Sequence, residues 1–326
     1  MKILVFGGAG YIGTHTVLEL LDAGYSVVVF DDFSTGERLN IDKRATIYEG
    51  NILSKVDLIT VFNDHDFDAV MHFAGLKSAR KSMNNPEDYS DINIIGSINI
   101  LNQMIKNNVS KFIFSSSSSI YGEPIKSKIN ESHPLQPISY YGFTKLEVEN
   151  ILKWYSTITN LNFVSLRYFN AAGYDMKSRI KIPEKRSPNL IPRIMKVLLK
   201  KQEFLEIFGS NHSTKDGTCI RDYIHVSDIA LAHIESLNYL NHNLNHLVLN
   251  LATGNGYSIL EIIKEFERQS GYEIPFKFAN RRSGDPSIVV SSSDLKNKEF
   301  KWEPKYSNLE SIISSVLSIY KIKKNL

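Results

Sequence analysis

Short apolar runs alternate with longer amphipathic ones through the first half of the chain. "KILVF" at Lys2 to Phe6 is a continuous apolar run that ends in glycines, which predicts a buried strand. "YIGTHTVLELLDAG" follows it, with Ile12, Val17, Leu20 and Leu21 on one helical face and Gly24 as a stop. "SVVVF" at Ser26 to Phe30 predicts a second buried strand, and "ATIYEG", "DAVMHFAG", "KFIFSSS" and "NFVSLRYF" predict four more. The intervals between them carry helical periodicity. Strands buried on both faces read as unbroken apolar runs, and intervening helices are the crossovers of a parallel sheet. The pattern predicts an α/β protein with a doubly wound parallel sheet of Rossmann type over residues 1–170.

After Phe169 the pattern loosens. "KSRIKIPEKRSPNLIP" is polar and proline-interrupted, and predicts a surface loop that enters a second unit. Later apolar runs, "FLEIFG" and "HLVLNLA", stand between polar stretches. A second, smaller α/β domain over residues 171–326 is expected above the carboxyl edge of the sheet. A segment at about 222–252 is expected to return to the first domain. One segment resists the pattern: "FIFSSSSSIYG", with five consecutive serines behind an apolar run. A serine run suggests a linker by composition. Embedded between "KFIF" and "IYG", it predicts instead the carboxyl end of a parallel strand, where open α/β sheets bind ligands. Strand alternation then puts Ser116 and Ser118 opposite to Ser115, Ser117 and Ser119.

Composition changes this picture little. The chain has 326 residues, 42% hydrophobic and 22% charged, with a net charge of +3. That charge implies no nucleic-acid partner, and the "KIKK" tail at Lys321 to Lys324 reads as a solvated helix end. Cys219 is the single cysteine, so no internal disulfide forms. No apolar stretch approaches the ~20 residues of a membrane span, and "ILVF" is too short for a signal sequence. A soluble cytoplasmic protein is expected, with no membrane partner. The nine histidines include no H-E-x-x-H. His242 and His246 lie in an asparagine-rich turn, so no metal is expected.

"GGAGYIG" sits between the first strand and the first helix. Gly8, Gly10 and Gly13 satisfy G-x-G-x-x-G, and Gly7, Gly10 and Gly13 satisfy the longer spacing. Glycines serve a tight turn, close approach to a pyrophosphate and close helix-to-strand packing. The helix N-terminus offers free N–H groups to phosphate. Asp31 ends the second strand, where a carboxylate binds both ribose hydroxyls and repels a 2′-phosphate. NAD is therefore expected rather than NADP.

"YYGFTK" places Tyr141 and Lys145 on one helical face. A free tyrosine titrates at a pKa of about 10, and reaching about 7 takes roughly 4 kcal/mol of preference for the phenolate. A nearby ammonium supplies part of that, and oxidised nicotinamide supplies more.

With "GGAGYIG", "HFAGLK", "FIFSSSSSIYG", "YYGFTK", "RYFN", "NLIP", "DGTCIRDYIHV" and "RRSGDPS" in order, the chain resembles the extended short-chain dehydrogenase/reductases. Among them it is similar to the UDP-galactose (UDP-glucose) 4-epimerases over nearly its whole length. The resemblance implies tightly bound NAD, a UDP-sugar substrate and epimerisation through a 4-keto sugar. Tyr141 would be the general base, Ser117 would hold the sugar 4-oxygen, and Lys145 would lower the tyrosine pKa and hold the nicotinamide ribose. It implies cofactor contacts at Gly7, Gly10, Tyr11, Ile12, Gly13, Asp31, Asp32, Asn51, Ile52, Phe73, Ala74, Gly75, Lys77, Asn93, Ser115, Tyr141, Lys145 and Tyr168. It implies substrate contacts at Lys77, Ser117, Tyr141, Asn170, Asn189, Leu190, Phe208, Arg221, Tyr223, Arg282, Asp285 and Val289. The two arginines suit phosphate, and Asp285 a ribose.

The chain departs from the family in places. Asn51 stands where an aspartate is usual near adenine, Asp32 where asparagine is frequent, and Phe143 where lysine is common. Val289 stands where a bulky tyrosine accompanies plain hexoses, which implies room for an N-acetyl group and activity on UDP-GlcNAc and UDP-GalNAc. Nucleotide-sugar dehydratases carry acids where Ser118 and Ser119 stand here. UDP-glucuronate epimerases and decarboxylases share the oxidation step, but "NLIP" and "RRSGDP" argue against them. A non-catalytic NAD-sensing regulator would lack the tyrosine or the lysine. Family members dimerise through a four-helix bundle, which implies a homodimer through residues 91–106 and 141–155; apolar positions there such as Ile98, Leu101 and Ile151 are compatible with this and equally with packing against the sheet.

Overall fold

The computed structural model describes residues 1–184, 187–243, 245–282, 285–292 and 300–322. Lys323 and Lys324 of the basic tail, and Ser283 and Gly284 of "RRSGDPS", lie outside the described residues. The strands are β1 (Lys2–Phe6), β2 (Ser26–Asp31), β3 (Thr46–Glu49), β4 (Ala69–His72), β5 (Lys111–Ser117), β6 (Asn162–Tyr168), β7 (Asn170–Ala172), β8 (Leu205–Phe208), β9 (Ile220–His225), β10 (Leu247–Leu251), β11 (Gly256–Ser258), β12 (Phe276–Ala279) and β13 (Ile288–Val289). The helices are α1 (Tyr11–Asp22), α2 (Lys55–Asp64), α3 (Ala79–Ser82), α4 (Pro86–Tyr89), α5 (Gly96–Lys106), α6 (Tyr140–Ile158), α7 (Leu190–Leu198), α8 (Val226–His242), α9 (Ile259–Ser270) and α10 (Leu309–Ile319).

Seven parallel strands form the main sheet in the order β10-β6-β5-β4-β1-β2-β3. Alternation along each strand builds a core on each face. Ile3, Val5, Val27 and Val29 meet Val17 and Leu20 of α1 and Ile229 and Leu237 of α8. Leu4, Phe6, Val28 and Phe30 meet Leu58 of α2, Ile100 and Leu101 of α5 and Val148 of α6. Burying one such side chain contributes about 1.5–3 kcal/mol. Leu101 is fully buried there, so of its two readings it faces the sheet.

The returning chain is α8 and β10, the latter pairing with β6 at the sheet edge. The expected return began at about residue 222, but Asp222 to His225 still belong to β9. That strand pairs with β7, β11 and β13 in a second sheet. Phe300 and Trp302 also pack into the first domain's core, beside α8. The remaining lobe has its own core, with Ile194 and Met195 of α7, Ile207 of β8, Phe266 of α9 and Ile312 and Val316 of α10. The chain order reverses between β1 and β4, which opens the ligand crevice of doubly wound sheets at their carboxyl ends. No helix among the described residues is long and apolar enough to cross a membrane.

Candidate active site

The glycines after β1 serve three distinct contacts. Gly7 has φ +74°, and a Cβ there would lie 2.4 Å from Ala74 N of the turn after β4. A Cβ on Gly13 would lie 2.2 Å from Gly7 O, so α1 sits against the strand only through a glycine. Gly10 differs: a Cβ there would meet only Gly7 O, at 3.2 Å. The protein does not fill the space beside Gly10, as a close ligand approach requires. Gly10 is also the N-cap of α1 without a side-chain cap, and the first turn holds no acid. An uncompensated helix N-terminus beside an open glycine fits a pyrophosphate.

Asp31 ends β2 and is 8% exposed. It accepts from Ala9 N (2.8 Å) and Phe33 N (2.9 Å), while burial raises its pKa. These donors fix the carboxylate beside the glycine turn, and Asp32 accepts from Ser34 N at 2.9 Å. This arrangement fits a dinucleotide with an unphosphorylated ribose.

Several expected cofactor residues shape the crevice while their polar atoms bond within the protein. Tyr11 donates its hydroxyl to Gly173 O (2.5 Å), and Ile12 packs on the core. Asn51 Oδ1 accepts from Leu53 N (2.8 Å), and Ile52 is buried against Gly96. Asn93 accepts from Leu76 N (2.8 Å) and donates to Thr144 Oγ1 (3.0 Å), which locks the Gly75 turn to α6. Phe73 packs its ring 4.6 Å from His233. Lys77 reaches across to Glu184. Tyr168 donates to His233 Nε2 (2.7 Å), because His233 Nδ1 donates to Ile229 O (2.8 Å). Burial holds His233 neutral at a pKa of about 4.

The serine run is the end of a strand. β5 extends through Ser117, and a 3-10 turn at Ser118–Ile120 ends the alternation. Ser116 points behind the sheet and donates to Glu149 Oε1 (2.6 Å). Ser115 and Ser117 face the other way, Ser115 toward Tyr168 and Ser117 toward Tyr141. Ser119 lies on Ser117's side after all, since its amide and hydroxyl both contact Ser117 Oγ at 3.2 Å.

Local chemistry brings Tyr141 there. Ser139 caps α6 by accepting from Gly142 N (3.1 Å), and Ser82 Oγ accepts from Tyr141 N (2.9 Å). A Cβ on Gly142 would lie 2.4 Å from Ser119 O, so a larger residue would push the helix start off the serine turn. Burial raises the Tyr141 pKa; the Ser117 hydroxyl works against that, and Tyr89 adds to it. Lys145, 5% exposed, donates to Ser115 O at 2.8 Å, and burial lowers its pKa to about 8. The ammonium is thus tied to the strand end.

Sequence reasoning missed the support behind these groups. Glu149 is fully buried, one turn after Lys145. It accepts from Arg167 twice (Nε 3.0 Å, Nη2 2.6 Å) and from Ser116 and Ser165. Arg167 also donates to Tyr121 (2.8 Å), which donates to Asn250 (2.6 Å). The spacing of Tyr141, Lys145 and Glu149 at four-residue intervals on one buried stripe was the available signal. His72 was also missed: Ser97 donates to Asn93 O (2.6 Å), so His72 Nε2 donates to Ser97 (2.9 Å) and Nδ1 is left unbonded. Burial and Lys145 lower its pKa to about 3.

The expected substrate residues line the second lobe beside this edge. Asn170 pairs with Tyr223 across β7 and β9. Asn189 caps α7 without using its side chain, and Leu190 packs on the second core. Phe208 ends β8 under the Arg282 guanidinium, 3.7 Å from the ring centroid. Arg221 pairs with Asp285 and donates to Ile220 O (2.8 Å). Val289 pairs with Arg221 between β13 and β9 and packs against Ile120, Tyr121 and Phe169. His246 stacks on Phe163 at 5.0 Å, and no metal-binding cluster occurs among the described residues.

A family model described as the NAD dependent epimerase/dehydratase family matches residues 3–252. The chain belongs to that family. A similar relative is the UDP-glucose 4-epimerase of Halalkalibacterium halodurans, 40% identical over 98% of this chain and 96% of its own. UDP-glucose 4-epimerase from Brucella ovis, solved in complex with NAD, superposes with a TM-score of 0.93 at 36% identity over 96% of each chain. The UDP-Glc/GlcNAc 4-epimerase of Campylobacter jejuni gives 0.86 at 36% identity, covering 98% of this chain and 99% of that one. The family is an enzyme family, and its matched region spans the crevice, the serine turn, Tyr141 and Lys145.

Proposed function

We propose that the chain is an NAD-dependent UDP-glucose/UDP-galactose 4-epimerase. One observation carries this reading: the Ser117 hydroxyl faces Tyr141, and Lys145 is bonded to the Ser115 carbonyl on the same strand end, with hydroxyls rather than acids at Ser118 and Ser119. Bound in the glycine turn, NAD supplies the hydride acceptor and donor. Tyr141 takes the proton of the sugar 4-hydroxyl and returns it after the 4-keto sugar has turned over. Ser117 holds the 4-oxygen in place throughout. Burial alone leaves the phenol too weak an acid to serve as a base near neutrality, so its activation depends on positive charge. Lys145 supplies such a charge from the Ser115 carbonyl, where it also holds the loop edge for a ribose. Arg221, Arg282 and the α7 N-terminus suit the diphosphate.

Tyr141→Phe tests the assignment. Turnover of UDP-galactose should fall by several orders of magnitude while NAD remains bound, read from cofactor released on denaturation. Unchanged turnover would refute the role of Tyr141. The reading extends to N-acetylhexosamines, because the valine at 289 packs beside Arg221 and Phe169 and occupies less volume than a tyrosine. Incubation with UDP-GalNAc followed by product separation checks this, and activity on plain hexoses alone would sink it. We further propose a homodimer through α5 and α6. Trp154 and Ile158 of α6 are 69% and 70% exposed, and Ile95, at the end of the π-helical segment before α5, is 46% exposed. Light scattering of Trp154→Glu against the unaltered protein tests this.

A further inference from the structure

We propose that Arg193 is a third cationic ligand of the nucleoside diphosphate, beside Arg221 and Arg282; this rests on the function proposed above. Arg193 projects from the first turn of α7, and its guanidinium carbon lies 5.3 Å from the Phe208 ring centroid. Arg282 lies 3.7 Å from the same centroid. Two guanidinium groups therefore crowd one aromatic ring. The Arg193 side chain is only 16% exposed, and its nearest carboxylate, Glu206, is 3.6 Å away and half exposed. That separation is too long for a hydrogen bond. Arg282 makes no ion pair among the described residues. Burial and the Arg282 charge both oppose the Arg193 cation, and Glu206 offsets them only in part.

Arg221 provides the contrast. Its charge is met by Asp285 and its guanidinium also donates to a backbone carbonyl. Asp285 meets Arg221 within hydrogen-bond distance, whereas Glu206 meets Arg193 only at 3.6 Å and Arg282, which is exposed, makes no ion pair among the described residues. Burial and the like charge of Arg282 both oppose the Arg193 cation, and an anion bound beside it relieves both. A single anion with several oxygens relieves both cations at once, and guanidinium groups match phosphate oxygens in pairs. A pyrophosphate carries that charge and that number of acceptors. Asn189, at the start of the same helix, makes no side-chain cap bond.

The test is calorimetric titration of UDP and of uridine into the unaltered protein, Arg193→Gln and Arg193→Lys. A charge-assisted contact corresponds to a loss of about 10- to 100-fold in affinity. Arg193→Gln should weaken UDP by that factor and leave uridine unchanged, and Arg193→Lys should recover part. The deficit should shrink as salt rises. Undiminished UDP affinity in Arg193→Gln, with UDP bound by the unaltered protein, would overturn this assignment alone. An equal loss for uridine would overturn it too, since that marks packing on Phe208. Failure of the unaltered protein to bind UDP would overturn both this assignment and the function beneath it.

Discussion

Replacing Lys145 with methionine removes a cation whose burial lowers its pKa from 10.5 to about 8. At 1.36 kcal/mol per unit, holding that ammonium charged at neutral pH costs the fold about 3 kcal/mol. The 2.8 Å bond to Ser115 O offsets part of this. The pH dependence separates the two contributions. Below about pH 8 the lysine is protonated both folded and unfolded, and the penalty stands in full. Between about 8 and 10.5 the unfolded chain binds the extra proton, so stability rises with pH. Above that range neither state is charged and the penalty is gone. Methionine carries no such linkage, and every other lysine is common to both proteins. The stability of the unaltered protein relative to Lys145→Met should therefore rise by about 2–3 kcal/mol between about pH 7 and about pH 10. Urea unfolding at matched cofactor content measures it. Parallel stability curves across that range would show that Lys145 is not a strained cation, and the reasoning would fail. Turnover should be lost in the variant at every pH.

Three further outcomes follow from the geometry. Ser116→Ala should lower stability by about 1–3 kcal/mol with modest loss of turnover, because it strips a donor from buried Glu149; Ser117→Ala should do the reverse, and equal effects on turnover would refute the assignment of Ser117. Arg167→Met should cost about 3–5 kcal/mol by leaving Glu149 buried without its cation, while the double variant Glu149→Leu, Arg167→Met should recover most of it in urea unfolding. Gly10→Ala should fold normally but lose bound cofactor, read from the absorbance of the purified protein, whereas Gly13→Ala should impair folding itself, since its Cβ would lie 2.2 Å from a backbone oxygen.

Much of the site is legible in the sequence. The glycine turn, Asp31 and the Tyr141–Lys145 pair are each encoded within a few residues, and their spacing carries their geometry. The alternation that separates Ser116 from Ser117 was also readable. Its end was not: the 3-10 turn that brings Ser119 back beside Ser117 depends on how the strand end meets α6.

What the sequence determined by itself was therefore local: which runs are strands, where the chain turns, and which residue types stand at the turn. Period and turn chemistry act over a few residues, so composition within a short window suffices. The tertiary structure decided the rest. It placed Leu101 inside α5's buried face and began the chain's return to the main sheet after β9. It joined Glu149 to Arg167, set Val289 against Arg221 and crowded Arg193 and Arg282 onto Phe208. These contacts join segments far apart along the chain. The four-residue spacing marks Glu149 but not its partner, and no short-range signal marks the other contacts, because each forms only once the sheet order has brought the distant strands and helices together.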